Sequence, residues 1–261
     1  FTPGGPVSTD ISTVEDIGDT ISDGDLTIQS SATLSMGAYP LTIGGNYNNS
    51  GTFSKSAGQL TTFTAQALGF SISGSRTVNF EHLTFDGGGE QSSLPASYTV
   101  NNNLTIASGT LISSSGTLTV GGSFVNRGAF THRSGTVLMN AGSTNKLFAS
   151  GGSALNNLTF NNASGEWSLE DDTTVNGNLT MTAGSLIGSA NLTAAGNVTG
   201  DGSIALTGNS TYLYGLKDIS LGQYHTCAVS NAGGVYCWGR GDGGQMGNNT
   251  TTLNNSSPVR V

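Results

Sequence analysis

Acidic side chains are concentrated at the N-terminal end of the chain. Six of its sixteen Asp and Glu residues lie between Phe1 and Asp25, with no Lys or Arg among them. Hard cations such as Ca²⁺ bind clustered carboxylates and loop carbonyls, so calcium is the one cofactor that the sequence suggests. The candidate ligands are Asp16, Asp19, Asp23 and Asp25. Their spacing matches no EF-hand loop, and the alternative is a solvated acidic cap over the end of a β structure.

The pattern Asn-x-Ser/Thr recurs along the chain and raises the question of glycosylation. In a secreted protein this pattern is the acceptor for N-linked glycans. The alternative is structural, because Asn suits tight corners and Thr suits the outer face of the strand that follows. The candidate acceptors are Asn103, Asn157, Asn178, Asn191, Asn197, Asn209 and Asn249.

One acidic trio, Glu170-Asp171-Asp172, could in principle serve acid–base chemistry on a polysaccharide. Glycoside hydrolysis needs two carboxyl groups that face each other across a groove. Neighbouring residues on a strand point to opposite faces, so this trio cannot converge by itself. His82, His132 and His225 share no spacing that suits a metal. We therefore predict no catalytic, metal-binding or cofactor-binding residue outside the calcium candidates, and no enzyme activity.

The two cysteines, Cys227 and Cys237, lie close together near the C-terminus. They could form a disulfide or remain two buried thiols. Residues 224–230 and 234–239 read as two strands joined by Asn231-Ala232-Gly233, and a three-residue hairpin loop of this kind places Cys227 opposite Cys237. Cross-strand pairs come close enough for a disulfide. We expect Cys227 and Cys237 to be bonded.

The candidate residues named above are positioned by short apolar and threonine-rich motifs. These motifs repeat at long intervals along the chain. Leu26-Thr27-Ile28, Leu104-Thr105-Ile106 and Leu179-Thr180-Met181 follow one another at nearly equal intervals. Within each motif apolar and polar side chains alternate with the period of 2 that strands require. We expect Leu104, Ile106, Leu118, Val120, Leu179 and Leu192 to face a core and Thr105, Thr119 and Thr180 to face outward.

Two all-β architectures are compatible with this pattern. A parallel β-helix, or solenoid, would hold three or four coils in each long repeat, whereas a row of β-sandwiches would make each repeat a separate domain. Isolated inward Leu, Ile, Val and Phe residues and small polar corners favour the β-helix. We divide the chain into an acidic lead-in or cap (1–25), a solenoid repeat region (26–215) and a different C-terminal segment (216–261).

Composition excludes several partners. Only 9% of the residues are charged and the net charge is −8, so the basic patch that a nucleic-acid partner requires is missing. No apolar run is long enough to span a membrane. Low charge, abundant Ser, Thr and Asn, and a first residue other than Met suggest a processed or fragmentary chain from outside the cell.

The repeat region resembles the glycine- and threonine-rich repeats of microbial surface proteins. The pattern is Leu-Thr-Val-Gly-Gly-x-Phe-x-Asn-x-Gly-x-Phe, which occurs at residues 118–130 and, with Ile and Tyr replacing Val and Phe, at 41–53. The resemblance implies an exported, elongated protein with a structural or adhesive role. It implies no catalytic residue.

The C-terminal segment resembles one repeat of the regulator of chromosome condensation family. His-Thr-Cys-Ala at 225–228, Val-Tyr-Cys-Trp-Gly at 235–239 and Gly-Gln-Met-Gly at 244–247 occur in the order of that repeat. The resemblance implies a β-hairpin segment like a single propeller blade. One blade cannot close a propeller, so the exchange activity of that family does not carry over.

These observations lead to one main functional hypothesis and two alternatives. The main one is an extracellular, cell-surface structural protein whose subunits assemble with one another, head to tail, into a filament. The second is the stalk of a large secreted adhesin with a propeller-like head, for which surface glycans would be partners. The third, a carbohydrate-active β-helix enzyme, lacks the required acid–base set.

Overall fold

The computed structural model is an all-β protein with two kinds of sheet. It describes residues 9–10, 14–15, 24–65, 70–93, 95, 97–208, 211–214, 216–230, 234–251 and 254–261. Over these residues every assigned element is a strand, and no helix capable of crossing a membrane is found among them. Strands β1 to β24 pair in parallel and form a solenoid, whereas β25 to β28 form an antiparallel sheet.

The first strands of the solenoid are β1 (Thr9–Asp10), β2 (Val14–Glu15), β3 (Leu26–Ile28), β4 (Thr33–Gly37), β5 (Leu41–Ile43), β6 (Tyr47–Asn49), β7 (Thr52–Lys55), β8 (Leu60–Phe63), β9 (Phe70–Ser73), β10 (Val78–Phe80), β11 (His82–Ser93) and β12 (Tyr98–Val100). Those that follow are β13 (Leu104–Ile112), β14 (Thr117–Val120), β15 (Phe124–Asn126), β16 (Ala129–Thr131), β17 (Thr136–Met139), β18 (Lys146–Ala149), β19 (Asn157–Leu169), β20 (Thr173–Val175), β21 (Leu179–Gly188), β22 (Leu192–Thr199), β23 (Ser203–Leu206) and β24 (Thr211–Tyr214). The antiparallel sheet consists of β25 (Leu216–Leu221), β26 (His225–Ser230), β27 (Val235–Arg240) and β28 (Asn254–Arg260).

A continuous parallel ladder, here called ladder 1, runs along the solenoid. Each of its pairings advances the chain by one coil, and the coils differ somewhat in length. Ladder 1 joins Leu41, Thr61, Leu83, Leu104, Phe124, Phe148, Leu169, Gly188 and Leu206. With rungs about 4.8 Å apart, the solenoid is a rod rather than a row of sandwiches, whose strands would pair antiparallel.

A second ladder and a shorter third set of pairings complete the coil. Ladder 2 joins Val78, Tyr98, Leu118, Val137, Leu158, Leu179 and Val198. The third side is paired from Leu26 through Tyr47 to Ile72, and again from Leu155 through Val175 to Ala194. The ladders also reach back to Thr9 and Val14, which pair with Leu26 and Leu34. The solenoid therefore extends into the segment predicted to be an acidic cap.

The core is a single column inside the rod. All six side chains predicted to face inward are fully buried, and Thr105, Thr119 and Thr180 are half-exposed, as expected. Aromatic rings pack along part of the column. The rings of Phe124 and Phe148 are stacked with centroids 5.4 Å apart, and those of Phe160 and Trp167 are tilted with centroids 4.9 Å apart. The alternation of apolar and polar residues thus fixes which side of each strand forms the core.

The long sequence repeat does not contain a whole number of coils. Leu104 lies in ladder 1, whereas its equivalent Leu179 lies in ladder 2. Three full coils lead from Leu104 to Leu169, and part of a fourth leads on to Leu179. Equivalent positions of successive repeats therefore lie on different sides of the rod.

The C-terminal segment is a four-stranded antiparallel sheet in the order β25-β26-β27-β28. Its central hairpin has the predicted register, in which Val229 lies opposite Val235 and Cys227 opposite Cys237. The sequence-based interpretation saw this hairpin but not the flanking strands β25 and β28. Four antiparallel strands are the content of one propeller blade.

Candidate functional site

The corners of the rod are joined by polar side chains that reach the neighbouring coil. Oδ1 of Asn157 accepts a hydrogen bond from the backbone N–H of Asn178 at 2.9 Å, and Oδ1 of Asn178 accepts one from Asn197 at 3.0 Å. Asp25 and Asn46 form the same kind of corner at the other end, where both the backbone and the side-chain N–H groups of Asn46 donate to Asp25 Oδ1. These corner residues satisfy backbone donors that strand pairing leaves over.

The acidic trio of the sequence analysis also belongs to the corners. Asp171 accepts from the backbone N–H of Ser150 at 2.8 Å and from that of Gly151 at 2.6 Å. Asp172 accepts from the backbone and side-chain N–H groups of Asn191 at 2.8 and 2.9 Å. The hydrogen bonds from Asn191 hold the pKa of Asp172 below its usual value. The two carboxylates bind different coils and do not face each other across a groove.

One of the four candidate calcium ligands lies among the described residues. Asp25 is described, and its Oδ1 is engaged by Asn46. Asp16, Asp19 and Asp23 lie outside the described residues. Among the residues that are described, no group of three or more His, Cys, Asp or Glu side chains is arranged to hold a metal ion. Calcium binding at the N-terminal segment stays a prediction.

The candidate glycosylation residues occupy corners and exposed turns. Asn103, Asn157 and Asn178 use Oδ1 to accept a backbone N–H from the next coil, and Asn191 donates its side-chain N–H to Asp172. Two further candidates are exposed. These are Asn197, and Asn249, whose φ of 58° lies in the left-handed region. Asn209 lies outside the described residues. The corner interpretation accounts for the first four, and modification of any of them stays a prediction.

A disulfide joins the two central strands of the C-terminal sheet. Cys227 and Cys237 are bonded, and their Cα atoms are 4.1 Å apart. Such a short separation is typical of directly opposed positions in an antiparallel pair. Cys237, Ala228 and Met246 are buried, but they do not belong to the core column of the rod. The sheet therefore has only a small interior of its own.

The C-terminal sheet exposes large apolar side chains. Ile219 is 51% exposed, Leu221 77% and Tyr224 59%. By contrast, within the described part of the rod the exposed large apolar side chains are Tyr39, Leu60 and Leu147. A single sheet has two faces and can bury neither without a partner. An exposed apolar surface of this kind is a candidate interaction site.

The last rung of the rod is also incompletely covered. Ile204 pairs with the fully buried Leu186, and Leu206 pairs with Gly188, yet Ile204 and Leu206 are both half-exposed. They pack against the core column from one side. Strand β23 has a partner in the preceding coil, β21, and none in a following coil among the described residues. An apolar rung with an unpaired edge is a surface on which another strand can be added.

Comparison with known proteins supports the resemblance of the C-terminal segment. Two family models described as regulator of chromosome condensation (RCC1) repeat match the chain, one at residues 216–245 and the other at 232–261. Together they span β25 to β28 and no strand of the rod. Neither the search of curated proteins nor the search of solved structures found a match.

Sequence reasoning missed the corner hydrogen bonds, although a signal for them exists. Asn157 and Asn178 are 21 positions apart and Asn178 and Asn197 are 19 apart, which in each case is one coil. A polar residue that recurs at the coil length is what stacked corners require. The exposed apolar face had no comparable signal, because it depends on which side of β25 to β28 remains uncovered.

Proposed function

We propose that this chain is a structural subunit outside the cell whose β-solenoid rod associates end to end with further copies into a filament. The observation that carries the proposal is the half-exposed rung of Ile204 and Leu206 at the end of the core column. A contact between the two different ends of a subunit is heterologous, and it generates an open filament when the rotation does not close.

Other features support a structural role in an oxidising environment. The charged groups engaged in the rod, such as Asp171 and Asp172, serve to join coils. Cys227 and Cys237 form a disulfide, and structural disulfides are a feature of extracellular and surface proteins. Only 9% of the residues are charged, so few charged groups would lose water where copies pack against each other.

Negative-stain electron microscopy and sedimentation of the purified chain test the proposal. We expect filaments or concentration-dependent oligomers with the width of the rod, and Ile204→Asp with Leu206→Asp, which places charge on the half-exposed rung, should associate less. A wild-type chain that stays at 26.4 kDa at every concentration would refute end-to-end assembly.

A second function is favoured by the match at residues 216–261. The rod would then be a stalk, and the C-terminal sheet would be one blade of a propeller-like binding head. Its faces would be buried against the neighbouring blades. Binding of the intact chain to surface glycans, with isolated rods on the microscope grid, would support this alternative over the filament.

A further inference from the structure

The register of the C-terminal sheet places Ile219, Leu221, Tyr236 and Trp238 on one face. Residues directly opposite each other on antiparallel strands lie on the same face, as do residues two apart on one strand. One row joins Ile219, Ala228, Tyr236 and Arg260, and the neighbouring row joins Leu221, Thr226 and Trp238. We call this surface the tail face. It combines four large apolar side chains with one exposed cation.

The tail face is too small to form a stable protein–protein contact by itself. Its strands have six or seven residues, so four strands about 4.8 Å apart cover roughly 19 by 20 Å, or about 400 Å². A stable specific contact buries about 800 Å² on each partner. The tail face therefore requires an additional contact. The last coil of the rod is near enough to provide it, because β25 starts shortly after β24, which lies in that coil.

Charge identifies the complementary segment within the same chain. Residues 1–25 carry six acids and no Lys or Arg, together with apolar Ile17 and Ile21. Residues 216–261 carry three Lys or Arg and two Asp, one of which, Asp242, is paired with Arg240. The C-terminal segment is thus slightly basic, and the N-terminal segment is the most acidic part of the chain.

Position identifies the same segment. Thr9 pairs with Leu26 and Val14 pairs with Leu34, so β1 and β2 form the first rung at the N-terminal end of the rod. The tail face follows the last rung. One copy cannot readily bring these two surfaces together, because eight coils separate them along ladder 1. Two copies placed end to end can.

We propose that the tail face binds the acidic N-terminal segment, residues 1–25, of a second copy of this chain. The inference rests on the proposed end-to-end assembly and assigns its contact. Ile219, Leu221, Tyr236 and Trp238 bury the apolar residues of the segment, and Arg260 faces its carboxylates. The contact is heterologous, so each copy offers one acidic segment and one tail face.

Mixing two full-length variants tests this assignment. The tail variant is Ile219→Asp with Leu221→Asp, and the head variant is Asp16→Lys with Asp19→Lys. We expect each variant alone to lose association and run at 26.4 kDa. A one-to-one mixture should form a dimer of twice that mass and nothing longer, because only one intact contact exists in the mixture.

Matched controls separate the contact from general effects of charge. Leu147→Asp changes an exposed leucine on the side of the rod, and Asp86→Lys with Glu170→Lys changes two exposed acids there. Both should assemble like the wild type. Raising the salt to about 1 M shortens the Debye length to about 3 Å, so it should weaken the wild-type contact rather than strengthen it.

The possible outcomes distinguish the proposed contact from other modes of association. A head variant that still dimerises while the tail variant does not would show that two tail faces bind each other, and would overturn the proposal. Assembly that survives in both variants would overturn it while leaving end-to-end assembly intact. A wild-type chain that never associates would refute both.

Discussion

Asp171 and Asp172 are neighbours in the chain, yet their carboxylates bind in opposite directions along the rod. Asp171 accepts hydrogen bonds from the backbone N–H groups of Ser150 and Gly151 in the preceding coil, whereas Asp172 accepts them from the backbone and side-chain N–H groups of Asn191 in the next coil. One corner thus joins three coils. A pair of acids that first suggests hydrolysis instead serves to hold the stack together.

Asp172 should make this corner sensitive to acid. Its pKa is lowered by the hydrogen bonds from Asn191, so the folded rod favours the carboxylate. The resulting stabilisation is present above the unfolded-state pKa of about 3.9 and is lost as the pH falls through the lower folded pKa. Asp172→Ala should speed hydrogen exchange of the Asn191 amide at pH 7. The difference from wild type should shrink at the lowest pH.

Asp201→Ala is the control for this experiment, since it removes an exposed carboxylate in the next coil. It should leave the exchange of Asn191 unchanged. Equal effects of the two substitutions would mean that net charge, rather than the corner bond, stabilises the coil.

Two glycines with nearly the same positive φ should respond differently to substitution. Gly184 has φ +88° and Gly58 has φ +86°, and a left-handed conformation costs an alanine about 1–2 kcal/mol. A Cβ on Gly184 would lie 2.5 Å from the carbonyl oxygen of Asn162, whereas one on Gly58 would meet nothing within 4 Å. We expect Gly184→Ala to lower the free energy of unfolding clearly more than Gly58→Ala. Equal losses in urea denaturation would contradict close stacking at this corner.

Adjacent residues of β14 should differ sharply in their contribution to stability. Leu118 is fully buried and Thr119 is half-exposed. Leu118→Ala leaves a cavity and should cost about 2–5 kcal/mol, and Thr119→Ala should change stability by less than about 0.5 kcal/mol. Denaturant unfolding measures both. Similar losses at the two positions would be inconsistent with an inward Leu118.

Local pattern predicted much of the fold, because it reflects contacts between near neighbours. The alternation in Leu118-Thr119-Val120 predicted the inward face, and the loop between residues 230 and 234 predicted the register that places Cys227 opposite Cys237. The coil length was harder to predict, because corners of unequal length blur the period. Strands β25 and β28 were missed because they are short and rich in polar residues, and they gain partners only through the sheet.

The candidate sites were predicted less well than the strands. Residue types alone indicated that Glu170, Asp171 and Asp172 were chemically notable, but Ser150 and Asn191, the partners of Asp171 and Asp172, are distant in sequence. The tail face depends on the exposure of Ile219 and Leu221, which only the folded sheet determines.

Removal of the disulfide should loosen the C-terminal sheet and leave the rod intact. The Cys227–Cys237 bond closes a short loop, so it should contribute no more than about 3 kcal/mol. Trp238 lies in the sheet, and the fully buried Trp167 lies in the rod. After reduction, acrylamide should quench the fluorescence of Trp238 more strongly. The far-ultraviolet circular dichroism of the rod should not change.

A Trp238→Phe chain provides the control, because its remaining signal comes from Trp167. That signal should not change on reduction. Loss of rod structure together with the sheet would show that the two parts unfold as one cooperative unit.

The position of Leu104 in ladder 1 and Leu179 in ladder 2 has a consequence for how such a chain could grow. Duplicating the long repeat unit adds three coils and part of a fourth. The rod then becomes longer, and its end is also rotated about the long axis. Each additional copy would turn the attachment point of the C-terminal sheet to another side of the rod. The pitch of any filament built from such subunits would thus be encoded in the number of sequence repeats, and chains that differ by one repeat would assemble into differently wound fibres.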